Sequence, residues 1–401
     1  VRAPATLPGT SLRGAVTIAR DGPTRKPFAV RGGRIDSVTY AVDFPLDLRD
    51  HLVFPALINA HEHLQVNAVP PLRHDAPFAN SYAWIEAFQA HFSDHEVVDA
   101  LRIPRELRLR HGALKNLLAG TTCVAHHDPW HPVLDTPGFP VALLREFGWS
   151  YALGGPGYGP PVRESFAATP PDRPWMIHLA EGSDAVARGE LAELDRLGCL
   201  AANSVLIHGV GLEDAAVERV IACGAAVVWC PGSNHALLGR TLDPRRLAAA
   251  GRLALGSDSR LSGARDLLDE FIGIQARGEL DARGALALAT DAAARVLRLP
   301  GRGSLREGAI ADLVVVADRG GDPVDSLVGL RRADLRAVVR DGVPCIADPA
   351  FAGWFAAADI DTVAVTLDGR PKLLAASLAD DALFALEPGF DRLTDARTRW
   401  H

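Results

Sequence analysis

Leu52-Val53-Phe54-Pro55-Ala56-Leu57-Ile58-Asn59-Ala60-His61-Glu62-His63 is an apolar run that ends in two histidines two positions apart. Residues 52–58 read as a buried strand. In an extended chain, residues i and i+2 point to the same side, so both imidazoles can reach one cation at the strand's C-terminal end. Imidazole nitrogen suits zinc or ferrous iron. Alone the pair decides little, because two histidines at this spacing are commonly surface groups or satisfied buried ones. Its weight comes from what the rest of the chain repeats.

Three later apolar runs end in the same way. Trp175-Met176-Ile177-His178-Leu179-Ala180-Glu181 closes on a histidine with a carboxylate three residues on. Ser204-Val205-Leu206-Ile207-His208-Gly209 closes on another histidine, and Leu253-Ala254-Leu255-Gly256-Ser257-Asp258-Ser259 on an aspartate. His178 supplies a third donor, and Asp258 is both a ligand candidate and a proton acceptor. Glu181 stands where a carboxylate takes the proton from metal-bound water and hands it to a leaving group. It also suits the start of the helix expected from Ser183, where the dipole favours negative charge. Four strand ends bearing His-x-His, His, His and Asp share no easy structural explanation.

The order of elements sets the fold class. Apolar runs at 121–125, 149–153, 175–177, 204–207, 225–229 and 252–255 alternate with helix-period segments at 96–119, 183–197, 212–223, 267–276 and 285–297. Strands alternating with helices imply parallel βαβ units, here an α/β protein with a (β/α)8 TIM-like barrel. Counting 52–58, seven runs are found where eight are expected. Residues 154–174, with six prolines, are too few for a βα unit, so the fourth strand is expected to be vestigial or the barrel incomplete there. The chain ends read as β structure: 14–20, 28–38 around Gly32-Gly33, 311–317, and hairpins 335–348 and 362–377 turning at Asp341-Gly342 and Asp368-Gly369. They are expected to form one small β-sandwich domain. The division is thus 1–52 and 305–401 for that domain, and 53–304 for the barrel. The tail from 349 to 401 carries no motif.

Composition limits the rest. With 401 residues, 48% hydrophobic and 23% charged, the chain has the balance of a soluble globular protein. No apolar stretch reaches the 18 residues of a membrane helix, and residues 1–14 lack the basic-then-apolar pattern of a secretory signal. A net charge of −7 argues against a basic footprint for nucleic acid. The five cysteines are scattered, without a C-x-x-C pair, and read as reduced core residues of a cytoplasmic protein. The expected partner is a small-molecule substrate, with no nucleic acid and no membrane, and the chain is a candidate homodimer.

The sequence resembles the amidohydrolase superfamily, in particular its cytosine-deaminase-like and chlorohydrolase-like branch. The resemblance is carried by residues 55–64, Gly120-Thr121-Thr122, 178–182, 206–211, Cys230-Pro231-Gly232-Ser233-Asn234, 255–259 and Gly308-Ala309-Ile310-Ala311-Asp312-Leu313, and spans nearly 14 to 345. It implies that His61, His63, His178 and Asp258 are metal ligands. By the same token Glu181 shuttles protons, and His208 orients the attacking hydroxide or stabilises the intermediate. Relatives with two metals use a carboxylated lysine on the fourth strand. This chain has only Lys26, Lys115 and Lys372, so one divalent ion is expected, zinc, with iron as the alternative. Ala56 stands where many relatives have glycine.

The expected reaction is hydrolytic deamination of an amino-substituted heterocycle by a metal-bound hydroxide. Hydrolysis of a cyclic amide or a carbon–halogen bond is the alternative, and a non-catalytic metal-binding relative the third reading. Pocket candidates, by proximity to strand ends, are Gln65, Asn67, Trp84, His126, His127, Trp130, Asn234, His235 and Arg260. Trp84 and Trp130 have the flat faces to stack on a ring, and Cys230 reads as packing.

Overall fold

The run that opens at Leu52 divides between two sheets. His51–Pro55 pairs antiparallel with Leu313–Ala317 and parallel with Val16–Ala19, whereas Leu57–Glu62 opens a parallel sheet. Pro55 has no N–H to extend a ladder, and the Ala56 N–H turns to the Asp312 carbonyl at 3.0 Å. The computed structural model describes residues 9–19, 22–39, 42–154 and 157–393. Residues 1–8 of the N-terminal segment read as lacking a signal, residues 20 and 155–156 of segments read above, and the last part of the tail (394–401) lie outside the described residues.

Parallel strands follow in chain order: β1 Leu57–Glu62, β2 Thr121–His126, β3 Ala142–Leu143, β4 Gly148–Trp149, β5 Trp175–Leu179, β6 Ser204–His208, β7 Ala226–Trp229 and β8 Leu253–Leu255. They are hydrogen-bonded in two groups, β1 to β3 and β4 to β8. The groups meet at one seam through the Asp258 N–H and the His61 carbonyl, 3.1 Å apart. Gly256 is required there, since a Cβ would lie 2.9 Å from that of His61. At the other seam, His127 Nε2 meets the Ser150 carbonyl at 3.1 Å.

The sequence count failed at β3. Its two-residue ladder sits between Pro140 and Arg145 and is too short to show a pattern. Residues 144–147 leave no room for a crossover helix before β4. The shortfall therefore lies before residue 148, and the expected gap at 154–174 holds the short helix Val162–Ala168. The segment 96–119 is two helices, His95–Arg102 and Arg105–Leu118, broken at Pro104 because the residue before a proline is pushed out of the helical region. Among the helices that went unread is α1, Ser81–Ala90, capped by the Asn80 side chain on the Ala83 N–H.

Both chain ends contribute to a nine-stranded sheet, which runs from Gly22–Thr24 at one edge to Phe390–Arg392 at the other. The expected hairpins are present, with Asp341-Gly342 and Asp368-Gly369 at φ of 51°, 78°, 49° and 79°, as tight two-residue turns demand. Strands Thr362–Leu367 and Arg370–Ala375 of the tail extend this sheet. A second sheet of four strands joins Thr10–Arg13 and Phe44–Asp47 to the hairpin around Gly32-Gly33. Among the described residues no helix is long and apolar enough to cross a membrane, and the five cysteines are free.

Glu270, on helix Leu267–Arg277, is buried, and the Gly232 N–H lies against its carboxylate at 3.0 and 3.2 Å. Burial pushes its pKa from 4.5 to about 8. The folded state then keeps a proton that the unfolded chain releases. Stability is full below the unfolded pKa and is lost as pH rises through about 8. Glu270→Gln is expected to remove this slope, gaining on the order of 3–5 kcal/mol over the parent between pH 5 and 8. Urea midpoints of both proteins at the two pH values check it.

Candidate metal centre

The four strand ends singled out in the sequence converge. His63 Nε2 and His178 Nε2 lie 3.3 Å apart, and Asp258 Oδ1 lies 3.8 Å from the Nε2 atoms of both His61 and His63. Donor atoms of His61, His63 and Asp258 fall within 4.8 Å of one another, as do those of His61, His178 and His208. Two nitrogens bound tetrahedrally to one zinc at about 2.05 Å sit roughly 3.3 Å apart, so the spacing fits a shared cation. His61 is fully buried, and among the described residues neither of its ring nitrogens has a hydrogen-bond partner. An orphaned buried imidazole is costly unless a ligand takes its lone pair.

The remaining rings are aimed by their far nitrogens. Nδ1 of His63 donates to Asp128 Oδ2, that of His178 to the Tyr151 carbonyl, and that of His208 to Asn234 Oδ1, each at 2.8 Å. Donation from Nδ1 leaves Nε2 with its lone pair toward the centre. Ser233 and Ser262 hold Asp258 Oδ2 at 2.8 and 2.7 Å, so Oδ1 is the oxygen turned inward.

Electrostatics follow from burial. Burial, with the neighbouring histidines, holds His61 well below its usual pKa and brings His178 down to about 3. Burial acts to lower His63 too, but Asp128, then Asp258 and Glu62, outweigh it and raise it to about 9. A cation at Nε2 displaces that proton. Burial would raise Asp258, yet His63, His208 and the two serine hydroxyls keep it below its usual range. Glu181, with Oε1 3.4 Å from His208 Nε2, is held up by burial and by Asp258.

The backbone is bent to achieve this. Ala180, His208 and Asp258 have φ of 53°, 74° and 55°, a left-handed region that costs about 1–2 kcal/mol for residues with a Cβ. Tight contacts compensate: Gly211 N–H to the Ala180 carbonyl at 2.7 Å, and Ser259 N–H to Asp258 Oδ1 at 2.9 Å.

Beneath the pair of histidines, Glu62 points away from the centre. Its Oε2 accepts from Lys115 Nζ at 2.7 Å and Asn116 Nδ2 at 3.0 Å, and its Oε1 from the His63 N–H at 3.1 Å. Lys115 is fully buried, and among the described residues its one ionic partner is Glu62, beneath the site. Lys115→Met is expected to cost 3–5 kcal/mol, roughly the penalty of a buried charge left alone, with much of it regained in Glu62→Gln/Lys115→Met. Denaturant unfolding of the three variants checks this.

A cavity of about 480 Å³ opens over the centre, with His63, His178, Glu181, His208 and Asp258 in its wall. Of the pocket candidates, Gln65 and Trp84 line it. His126 is buried behind, facing the Leu64 N–H at 3.4 Å. Trp130 is exposed and donates to Asp135 at 2.7 Å; His235 pairs with Glu279 at 2.7 Å. Asn234 acts through His208, Asn67 caps the Arg260 N–H at 3.1 Å, and His127 holds Ser150. Arg260 donates in a fork to Glu387, at 2.6 and 2.9 Å, and the same carboxylate is also bonded to His111 and Arg332. Thus the motif-less tail clamps the loop after Asp258.

Proximity along the chain placed Asn67, His126, His127, Trp130, Asn234, His235 and Arg260 at the pocket, and none of these seven lines the cavity. The reading missed Ser81, Phe88, Phe92, Asp128, Tyr151 and Tyr158, all in the wall. A signal existed for the first three: Asn80 as cap, then Trp84, Ile85 and Phe88 at helical spacing.

A profile of the Amidohydrolase family matches residues 162–369. A 5-methylthioadenosine/S-adenosylhomocysteine deaminase of Haloquadratum walsbyi is 36% identical over 130 residues, 30% of this chain and 29% of that protein. The chain thus spans under a third of that relative. An enzyme of the same description from Haloarcula marismortui is 25% identical over 340 residues, 70% of this chain and 76% of its own. A zinc-bound adenosine deaminase structure from Xanthomonas campestris superposes with a TM-score of 0.67 at 21% identity, covering 87% of this chain and 97% of that one.

Proposed function

The chain belongs to the amidohydrolase family, and on that premise we propose that it is a metal-dependent hydrolase that deaminates an amino-substituted heterocycle. The observation that carries the reading is the convergence of His61, His63, His178 and Asp258, beside Glu181 and His208, at one end of a single cavity. The names of the relatives point to adenine nucleosides altered at the 5′ position.

In this reading His61, His63, His178 and Asp258 hold one divalent ion, zinc, with iron as the alternative. No lysine lies among strands β3 to β8 to bridge a second. Such an ion supplies a hydroxide nucleophile at neutral pH by lowering the pKa of water from 15.7 to about 7. The residues do the rest. Asp258 accepts the proton of the attacking water, and His208, fixed by Asn234, orients the oxygen. Glu181 delivers its proton to the ring nitrogen, the proton taken by Asp258 passes to the departing amine, and the hydroxyl proton of the intermediate returns to Glu181. The exocyclic C–NH2 bond breaks, a C–O bond forms at the same ring carbon, and ammonia leaves.

The same proposal takes β1 to β8 as a (β/α)8 barrel with two shortened strands, residues 53–304. The two remaining sheets form a sandwich-like domain from 1–52 and 305–401. The enzyme is taken as cytoplasmic, acting on a small molecule without nucleic-acid or membrane partners.

Ammonia release from a panel of adenosine analogues, cytosine and aminotriazines tests it, with metal content measured in parallel. Turnover without ammonia, through ring opening or halide release, turns the reading to the alternative chemistry. One ion per chain with no turnover at all points to a non-catalytic relative.

A further inference from the structure

The metal end of the cavity and its outer wall are joined by α1. The Ser81 N–H donates to the Glu181 carbonyl at 2.8 Å, and the Ser183 N–H to that of Ala79 at 2.9 Å. Gly182 makes this possible, since a Cβ there would lie 2.6 Å from the Asn80 Cβ. The helix therefore starts beside the proton shuttle and leads outward at about 1.5 Å per residue. Trp84, Ile85 and Phe88 come roughly 5–11 Å along, and Phe92, 44% exposed, marks the rim. Trp84 and Phe88 are stacked at 5.5 Å and Phe88 and Phe92 meet edge-on at 5.0 Å. Leu237 and Leu261 also line the space.

Charge is missing from this outer part. Among the described residues no lysine or arginine lines the cavity. Arg105, which follows α1 in the chain, is held by Gln65 Oε1 at 2.9 Å and the Pro129 carbonyl at 3.0 Å, and Arg260 by Glu387. The lining carboxylates are Asp128, Glu181 and Asp258, and all three belong to the metal end. Asp128 is occupied by His63 and by the Tyr158 hydroxyl at 2.9 Å. An ionic substituent would lose its water here and find no counter-ion.

Resting on the deamination reading, we propose that the substrate ring carries an uncharged apolar substituent that lies along the Trp84–Phe88–Phe92 face, and that ionic tails are rejected. Each methylene laid on that face gains about 0.8 kcal/mol, or about fourfold in affinity.

The test uses the metal-loaded enzyme and 5′-alkylthio-5′-deoxyadenosines from methyl to butyl, with S-adenosylhomocysteine as the zwitterionic counterpart. Ammonia release and calorimetric binding are both measured. The expected result is a kcat/KM rising about fourfold per methylene, with S-adenosylhomocysteine about 100-fold below the butyl compound. Phe92→Ser, at an exposed position, is expected to reduce the gain per methylene. Binding that tightens along the series without ammonia supports the apolar channel and removes the deamination reading. Ammonia release that ignores chain length, or an equal rate with S-adenosylhomocysteine, overturns the channel and leaves deamination standing. Absence of both binding and turnover across the series also overturns it.

Discussion

Glu181→Gln is expected to lower kcat by about 10²–10⁴-fold, the range for a positioned general acid–base group, while metal content stays at one ion per chain. The amide keeps the shape of the side chain and its place beside His208, 3.4 Å away. It cannot pass a proton. None of the donor atoms that fit the ion belongs to Glu181, so metal analysis separates loss of chemistry from loss of the centre. The Glu181 backbone, tied to Ser81, is untouched by the change, and the cavity wall stays in place. A variant with full metal and unchanged turnover removes Glu181 from the mechanism.

Stripping the metal with a chelator is expected to abolish turnover, and one equivalent of zinc to restore it. The thermal midpoint should fall in the stripped protein, because a ligand that binds only the folded state stabilises it by mass action, about 4 kcal/mol at 1,000 times Kd. Inside the protein, His61 then keeps two buried nitrogens without partners. The stoichiometry is informative in itself. Lys115 has its Nζ 2.7 Å from Glu62, beneath the histidine pair, so saturation is expected at one ion. Titration to two ions with a second rise in activity would count against the single-metal site.

Much of the site was legible because its signals are local. A strand that ends in His-x-His aims both rings one way through the two-residue period of extended chain, and this holds wherever the strand is placed. The turns at Asp341-Gly342 and Asp368-Gly369 were equally readable, since left-handed φ at consecutive residues selects those pairs. The count of strands was not, because β3 is two residues long and is a strand only by its pairing with Cys123 and Val124.

What the sequence by itself singled out is the candidate set: His61, His63, His178 and Asp258 as proposed ligands, with His208 and Glu181 beside them, each at or just after the end of an apolar run. The tertiary structure alone decided what surrounds them. Asp128 aims His63, and Glu387, 129 residues beyond Asp258, locks the loop through Arg260. The helix from Ser81 became a channel wall, while Trp130 and His235 turned outward. The physical reason is range. Periodicity and backbone preference act over a few residues, whereas the partner of a buried charge and the lining of a cavity depend on which distant segments pack against one another.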